Sequence, residues 1–238
     1  MELTGQRALV TGGTAGIGLA SARLLSEAGA AVVITGRNAD RGVAVADQLG
    51  AQFLQADLGA ASEVQHLFQA AGEIDILVNN AAYFPAALTV DQDPTSFDET
   101  FGINVRGLYF LTAGIVRGML ARSRGSIVNI TTMVATKGVA RASAYSASKA
   151  AVESLTRTWA VEFGASGIRV NSVAPGPTRT EGVQAEWGDS NEELGRSMPL
   201  GRTADPAEIA QAVLFLASPR SSFITGSTLH VDGGGAAL

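Results

Sequence analysis

The chain has 238 residues and a net charge of −5, and only 16% of its residues are charged. The acidic balance and the lack of a basic run argue against a nucleic-acid partner. The chain has no cysteine, and its two histidines, His66 and His230, lie far apart, so we expect no disulfide, no thiolate nucleophile and no metal site. Neither a signal peptide nor an apolar run of ~20 residues is visible, which predicts a cytoplasmic protein without a membrane partner.

Short apolar runs alternate with longer helical patterns along the whole chain. This alternation predicts one α/β domain over residues 1–238: a Rossmann-type, doubly wound parallel sheet of about seven strands with helices on both faces. The runs show little polar alternation, as expected of strands covered on both sides. The candidate strands are Ala8–Thr11, Ala31–Thr35, Gln52–Ala56, Ile76–Asn79, Ser126–Ile130, Arg169–Ala174 and Thr228–Val231.

A glycine-rich loop follows the first candidate strand. Gly12, Thr14, Gly16, Ile17 and Gly18 lie between that strand and a helical pattern. Small residues let the backbone approach a pyrophosphate, and a helix N-terminus offers it free N–H groups. Because the glycines stand between a strand and a helix, they predict a dinucleotide site rather than an ordinary turn.

The end of the second candidate strand indicates which dinucleotide is bound. An NAD site usually has an acidic residue here, which binds the ribose 2′-hydroxyl. This chain has Gly36 and then Arg37. Glycine leaves room, and a guanidinium can bind a 2′-phosphate through several donors. We therefore expect NADP(H) as the cofactor, with NAD(H) as the less favoured alternative.

Several motifs now occur in order along the chain. Thr11-Gly12-x-x-x-Gly16-x-Gly18 is followed by Asn79-Asn80-Ala81-Ala82, by Asn104, by Tyr145-x-x-x-Lys149 and by Pro175-Gly176. This combination resembles the short-chain dehydrogenase/reductase family, specifically its compact single-domain branch. The resemblance extends over essentially the whole chain, through Val231-Asp232-Gly233-Gly234.

The resemblance implies a role for each matching residue. Tyr145 would be the general acid or base, Lys149 would bind the nicotinamide ribose, and Asn104 would hold a water that links Lys149 to solvent. Asp57 and Leu58 would lie at the adenine, Asn79 to Ala81 at the adenosine ribose, and Pro175 to Thr180 at the nicotinamide amide. The cofactor-binding residues expected in full are Gly12, Thr14, Gly16, Ile17, Gly18, Arg37, Asp57, Leu58, Asn79, Ala81, Tyr145, Lys149, Pro175, Gly176, Thr178 and Thr180.

The tyrosine–lysine pair also has a chemical rationale of its own. A free phenol has a pKa near ~10, which is too high for efficient acid–base catalysis at neutral pH. Residues Ser143 to Phe163 are predicted to form a helix, so Tyr145 and Lys149 lie on one face, four residues apart. A nearby ammonium favours the phenolate, and we therefore expect Lys149 to lower the pKa of Tyr145.

Thr132 stands where the family has a serine that hydrogen-bonds the substrate carbonyl, thirteen residues before Tyr145. A threonine keeps the hydroxyl but adds a methyl group and stiffens χ1. The role survives if Oγ1 faces the site and fails if the methyl group does. We expect Thr132 to be catalytic and the neighbouring Thr131 only to complete the strand.

These residues predict an enzyme that transfers hydride between NADP(H) and a small ketone, aldehyde or 3-oxoacyl substrate, or the matching alcohol. The alternative is a cofactor-binding regulatory protein with little turnover. An epimerase or dehydratase would need a larger carboxyl-terminal region. Tyr83, Phe84, Met133 and Val134 are expected to line an apolar substrate pocket.

The segment from Glu181 to Pro199 is polar and punctuated by glycine. It is either a substrate lid or an ordinary surface excursion. The resemblance also implies a homo-oligomer, a tetramer or a dimer, with the helices near Ser96–Ala121 and Ser143–Phe163 at one interface.

Overall fold

The computed structural model describes residues 1–238. Seven parallel strands form one sheet in the order β3-β2-β1-β4-β5-β6-β7. This confirms the predicted fold class, a doubly wound α/β sheet. The strands are β1 (Arg7–Thr11), β2 (Ala31–Gly36), β3 (Gln52–Gln55), β4 (Ile76–Asn79), β5 (Gly125–Ile130), β6 (Ile168–Pro175) and β7 (Thr228–Val231).

Nine α-helices connect and cover these strands, and a π-helical segment, Gly102–Gly107, joins the fourth helix to the fifth. The helices are α1 (Gly16–Glu27), α2 (Ala39–Leu49), α3 (Ala61–Ala71), α4 (Pro94–Phe101), α5 (Leu108–Arg122), α6 (Ser143–Gly164), α7 (Glu181–Trp187), α8 (Ser190–Ser197) and α9 (Pro206–Ala217). None of them combines the length and the apolar character that crossing a bilayer requires.

The two faces of the sheet are buried in two separate apolar cores. Leu9 of β1 pairs in register with Leu77 of β4, and both side chains lie in the core that α3, α5 and α6 cover. Their chain neighbours Val10 and Val78 lie in the opposite core, beneath α1 and α9. Successive strand side chains point to opposite faces, so burial on both sides requires continuous apolar strands.

The strand order reverses between β1 and β4, and this reversal positions the site. The chain leaves β1 toward β2 on one side and leaves β4 toward β5 on the other. The connections at the carboxyl ends of these two strands therefore diverge and leave a crevice, the usual ligand position in such sheets.

The segment from Glu181 to Pro199 is largely helical. It contains α7 and α8, which are separated by Gly188 and Asp189, and Gly188 has a positive φ of 54°. Short helices are consistent with either interpretation made from the sequence, because both a lid and a surface excursion can be helical.

Candidate active site

A cavity of about 940 Å³ opens at the carboxyl ends of the strands. This volume is at the upper end of the range of small-molecule sites. Its walls come from the connections after β1, β2, β4, β5 and β6 and from α7. The cavity therefore occupies the crevice that the strand order predicts.

The glycine loop after β1 forms one wall of the cavity. Gly12 has a φ of +62°, which an L-residue with a side chain rarely adopts. A Cβ at position 18 would lie 2.2 Å from the carbonyl oxygen of Gly12, so α1 begins tightly against the loop. Asn80 fixes the same turn, because its Nδ2 donates to the carbonyl oxygens of Thr11 (2.9 Å) and Gly12 (3.1 Å).

A side chain at position 36, at the end of β2, would be crowded by Thr14. A Cβ at Gly36 would approach Cγ2 of Thr14 to 3.0 Å. Arg37 follows at the cavity wall, with its side chain 66% exposed and its guanidinium 4.0 Å from the Glu99 carboxylate. At that distance the guanidinium remains accessible to an anion.

Thr132, Tyr145 and Lys149 meet at the other end of the cavity. Thr132 follows β5 directly and is buried, whereas Tyr145 and Lys149 lie one turn apart near the start of α6. Thr132 Oγ1 accepts the N–H of Val134 at 3.3 Å, and the Thr132 side chain lies close enough to the Tyr145 phenol to lower its pKa. The hydroxyl, rather than the methyl group, therefore faces the tyrosine.

The net pKa shift of Tyr145 is opposite to the expectation from the sequence. Burial of the phenol raises its pKa to about 12, although the nearby Thr132 side chain lowers it. Lys149 Nζ lies 5.9 Å from the ring centroid and donates to the carbonyl oxygen of Ile130 at 2.8 Å. The expectation that Lys149 would bring this pKa down was wrong, because the loss of hydration outweighs the other contributions.

Lys149 itself is 1% exposed, and burial lowers its pKa to about 8. The bond to Ile130 uses one of the three ammonium donors. Two donors remain, and Lys149 lines the cavity. The ammonium is therefore positioned to donate to polar ligand groups beside Tyr145.

Asn104 supports this end of the cavity from behind, whereas Thr131 lies on its wall. Asn104 is fully buried in the π-helical segment, where Oδ1 accepts the Tyr83 N–H and Nδ2 donates to the Tyr83 carbonyl and to Ser148 Oγ. Its side chain thus ties the loop after β4 to α6. The Thr131 hydroxyl bonds Glu153 Oε1 at 3.0 Å and lies near the Val173 carbonyl.

Most residues that the sequence singled out lie on the cavity wall. They are Gly12, Thr14, Gly16, Ile17, Arg37, Asp57, Leu58, Ala81, Thr132, Tyr145, Lys149, Pro175, Gly176, Thr178 and Thr180. Three others lie outside the lining, namely Gly18, Asn79 and Asn104. Asn79 is buried and its amide donates to Thr112 and Asn129, so its chain neighbour Asn80 reaches the wall instead.

The structure also brings to the cavity charged residues that the sequence did not single out. Arg41 and Glu181 form a bidentate ion pair, with N–O distances of 3.0 and 3.1 Å. Glu186 Oε1 accepts the N–H of Ala86 at 2.7 Å, and Arg141 lines the cavity with a positive φ of 71°. Helix α7, which carries both glutamates, therefore bridges opposite walls of the cavity.

The predicted apolar lining is present at the same end. Tyr83, Phe84, Met133 and Val134 all line the cavity. The Phe84 ring packs edge-on against the Tyr145 ring, with centroids 6.0 Å apart. A substrate group next to the phenol would therefore meet an apolar surface.

The residues present fit a dinucleotide. A Cβ at Gly16 would come within 3.0 Å of Thr180 Cγ2, so a side chain there would fill the space between the glycine loop and the start of α7. Backbone close to that space suits a pyrophosphate. The Lys149 donors at the far end of the same cavity suit the ribose next to a nicotinamide.

Comparison with known proteins identifies the family to which the chain belongs. The family described as enoyl-(acyl carrier protein) reductase matches residues 12–235. A 3-oxoacyl-(acyl-carrier-protein) reductase from Vibrio harveyi is 37% identical, over 98% of both chains.

Two solved structures are also similar. One, described as a short chain dehydrogenase/reductase family protein, is 60% identical, with a TM-score of 0.96 and full coverage of both chains. A gluconate 5-dehydrogenase from Burkholderia cenocepacia, in complex with NADP and tartrate, is 34% identical, with a TM-score of 0.94 over 100% of this chain and 97% of its own. The chain therefore belongs to the short-chain dehydrogenase/reductase family, whose members are oxidoreductases that use a nicotinamide cofactor.

Proposed function

We propose that the protein is an NADP(H)-dependent reductase of a small carbonyl compound, with Tyr145 as the proton donor. The observation that carries this proposal is the cluster of Thr132, Tyr145 and Lys149, which lines the same cavity as Arg37 at the opposite end. The nicotinamide, when bound, supplies or accepts the hydride at the substrate carbon.

Tyr145 donates its phenolic proton to the carbonyl oxygen as negative charge develops there. A pKa of about 12 keeps the phenol protonated at neutral pH, so the proton is available for reduction. The Thr132 hydroxyl polarises the carbonyl and then stabilises the phenolate. Lys149, whose Nζ lies 5.9 Å from the centroid of the Tyr145 ring, would bind the nicotinamide ribose beside the phenol.

NADP(H) preference is supported by charge and by space at the end of β2. Arg37 offers a cation to a 2′-phosphate, and Thr14 crowds position 36, where an acid would bind the 2′-hydroxyl of NAD. The Burkholderia relative, with a TM-score of 0.94, contains NADP. NAD(H) remains the alternative that kinetics would detect.

The relatives point to different classes of carbonyl substrate. The Vibrio relative is named for a 3-oxoacyl thioester and the Burkholderia relative for gluconate, although their identities to this chain are similar. The apolar lining at Phe84 and Met133 favours a ketone, aldehyde or 3-oxoacyl group with an apolar substituent.

Helices α7 and α8 would act as the substrate lid, within one catalytic domain of 238 residues. Trp187 and Leu194 line the cavity from these helices. We expect saturating NADPH to reduce proteolytic cleavage between Glu181 and Pro199. Unchanged cleavage would leave this segment as an ordinary surface excursion.

A homo-oligomer, as a tetramer or a dimer, is part of the same proposal. Phe97, Tyr109 and Phe110 are exposed on α4 and α5, beside a groove that α6 completes. A patch of this kind is typical of a subunit interface. Light scattering of the purified protein would measure the oligomeric state.

The deciding experiment follows NADPH oxidation against ketones, aldehydes and 3-oxoacyl thioesters, with NADH in parallel. Turnover that prefers NADPH should fall ~10²–10⁴-fold in Tyr145→Phe, which removes only the acid. NADPH binding by this variant, measured by fluorescence, should match that of the wild type. Tight NADPH binding without turnover on any of these substrates would favour a cofactor-binding regulatory protein instead.

A further inference from the structure

Arg41 lines the same cavity as Arg37, which marks the predicted 2′-phosphate site, but its side chain is paired with Glu181 of the lid. It is the third residue of α2, four positions after Arg37, and both arginines line the cavity. The backbone N–H of Arg41 is held by Asn38 Oδ1 at 2.9 Å, so the base of the side chain is fixed. Its guanidinium forms two hydrogen bonds with the Glu181 carboxylate, at 3.0 and 3.1 Å.

Glu181 begins α7, directly after the residue that packs on the glycine loop. Thr180 caps α7 by accepting the Val183 N–H at 3.1 Å, and its methyl group lies over Gly16. Because it pairs with Arg41, the carboxylate of Glu181 lies at the end of the cavity that Arg37 also lines. There it neutralises one of these two arginines.

The Arg41–Glu181 pair can open at little cost. The side chains are 45% and 68% exposed, and exposed ion pairs contribute little to stability because water and salt screen them. A phosphate offers a guanidinium the same bidentate geometry as a carboxylate, with a higher charge. A phosphate within reach would therefore compete well for Arg41.

We propose that Arg41 is a second determinant of NADP(H) specificity, which exchanges its Glu181 carboxylate for the 2′-phosphate when the cofactor binds. This inference rests on the proposed function, because it assumes that Arg37 marks the 2′-phosphate site. Glu181 then acts as a competitor of the phosphate, and the start of the lid responds to the kind of dinucleotide that is bound.

If Arg41 exchanges partners in this way, substitutions of Arg41 and of Glu181 should have opposite effects. Arg41→Gln should lower kcat/KM for NADPH about tenfold and leave that for NADH within twofold, since only NADPH has the phosphate. Glu181→Gln should raise kcat/KM for NADPH about twofold to threefold, because the competing charge is gone, and should leave NADH unchanged. Calorimetry with 2′,5′-ADP and 5′-AMP should show the same pattern without turnover.

A matched control is available on the surface. Arg202 forms a bidentate pair with Glu208, at 2.7 Å for both bonds, and neither residue lines the cavity. Arg202→Gln should leave the NADPH/NADH ratio unchanged. Equal losses with both cofactors in Glu181→Gln would show that the pair only fastens the lid, and would overturn the inference.

Arg37→Gln separates this inference from the proposed function. A wild-type preference for NADPH that falls in Arg37→Gln but not in Arg41→Gln would overturn the role of Arg41 alone. A wild-type enzyme that prefers NADH, with Arg37→Gln unchanged, would instead overturn the proposed NADP(H) dependence.

Discussion

The two ends of the cavity are built in different ways. The end at the glycine loop, where we propose that the cofactor binds, is called the cofactor end. It is shaped largely by backbone, because the loop after β1 comes so close to α1 that a Cβ at Gly18 would overlap Gly12. The opposite end, where we propose that catalysis occurs, is called the catalytic end. It is shaped by side chains, because Thr132 from the end of β5 meets Tyr145 and Lys149 from α6 there.

This difference affects how each end responds to substitution. A larger residue in the glycine loop overlaps the neighbouring backbone, so it changes cofactor binding and packing together. A substitution among Thr132, Tyr145 and Lys149 removes one donor or one charge, so it changes the rate while the fold persists. Substitutions at the two ends should therefore separate turnover from binding.

Removal of the Thr132 hydroxyl should have the largest effect of these substitutions. Thr132→Val keeps the β-branched shape at the strand end but deletes the donor that faces Tyr145. We expect kcat/KM for the carbonyl substrate to fall ~10²–10³-fold, as for other lost oxyanion donors. Steady-state kinetics would measure the fall, and NADPH affinity should not change.

Thr132→Ser is the matched control, since it keeps the hydroxyl and removes only the methyl group. Its kcat/KM should stay within a few-fold of the wild type. A valine variant that keeps more than a tenth of wild-type activity would show that Thr132 only completes the strand.

The pH dependence of kcat/KM should report the ionisation of Lys149 rather than that of Tyr145. Burial lowers the Lys149 pKa to about 8, so its charge is lost above that pH, whereas Tyr145, with a pKa of about 12, stays protonated. The value of kcat/KM for NADPH, which reports ionisations of the free enzyme, should be level at neutral pH. Above pH ~8 it should fall about tenfold per unit.

Ultraviolet titration provides the control for this assignment. The difference between wild type and Tyr145→Phe should show no phenolate from Tyr145 until the pH approaches its pKa of about 12. A phenolate that appears near neutral pH would contradict the raised pKa. A pH profile that stays level well above the Lys149 pKa would contradict the role of the ammonium.

At the cofactor end, Gly18→Ala tests the close approach of the loop to α1. The added Cβ would lie 2.2 Å from the Gly12 carbonyl oxygen, so α1 and the loop must separate. Overpacking of this kind costs about 1–3 kcal/mol. If this cost falls on the cofactor-bound state, NADPH affinity decreases about fivefold to 150-fold. Fluorescence titration would measure the affinity, and thermal unfolding the stability.

Gly164→Ala is the control for the added methyl group, because nothing lies within 4 Å of a Cβ at that position. It should bind NADPH like the wild type. If Gly18→Ala also bound normally, the close approach of α1 to the loop would not be what shapes the cofactor end.

Features set by local backbone and burial constraints could be predicted from the sequence. The strands were recognisable because burial on both faces requires continuous apolar runs, and α6 was predicted to within one residue at its end. The glycine loop was recognisable because close backbone approach restricts the residue type. These constraints are local, so they leave a local pattern in the sequence.

Features that depend on distant segments left no such pattern. Arg41 and Glu181 are 140 positions apart, and an exposed charge in either segment has no distinguishing spacing. The pKa of Tyr145 was misjudged because the sequence shows the neighbouring lysine but not the burial of the phenol. The π-helical segment that holds Asn104 was likewise not distinguishable from an ordinary helix.

The smallest expected effect concerns the lid at the catalytic end. Glu186 Oε1 accepts the Ala86 N–H at 2.7 Å, which joins α7 to the loop that carries Phe84. Glu186→Ala removes one exposed hydrogen bond, which is worth about 0.5–1.5 kcal/mol. We expect KM for the carbonyl substrate to rise about twofold to tenfold, with kcat and NADPH affinity unchanged.

Gln184→Ala on the same helix is the matched control, since Gln184 is exposed and does not line the cavity. A rise in KM confined to Glu186→Ala would show that α7 contributes to substrate binding through its contact with the opposite wall. Equal KM values in both variants and the wild type would mean that α7 needs no such contact. The catalytic end would then be complete without the lid, and only Arg41–Glu181 would connect α7 to the cofactor.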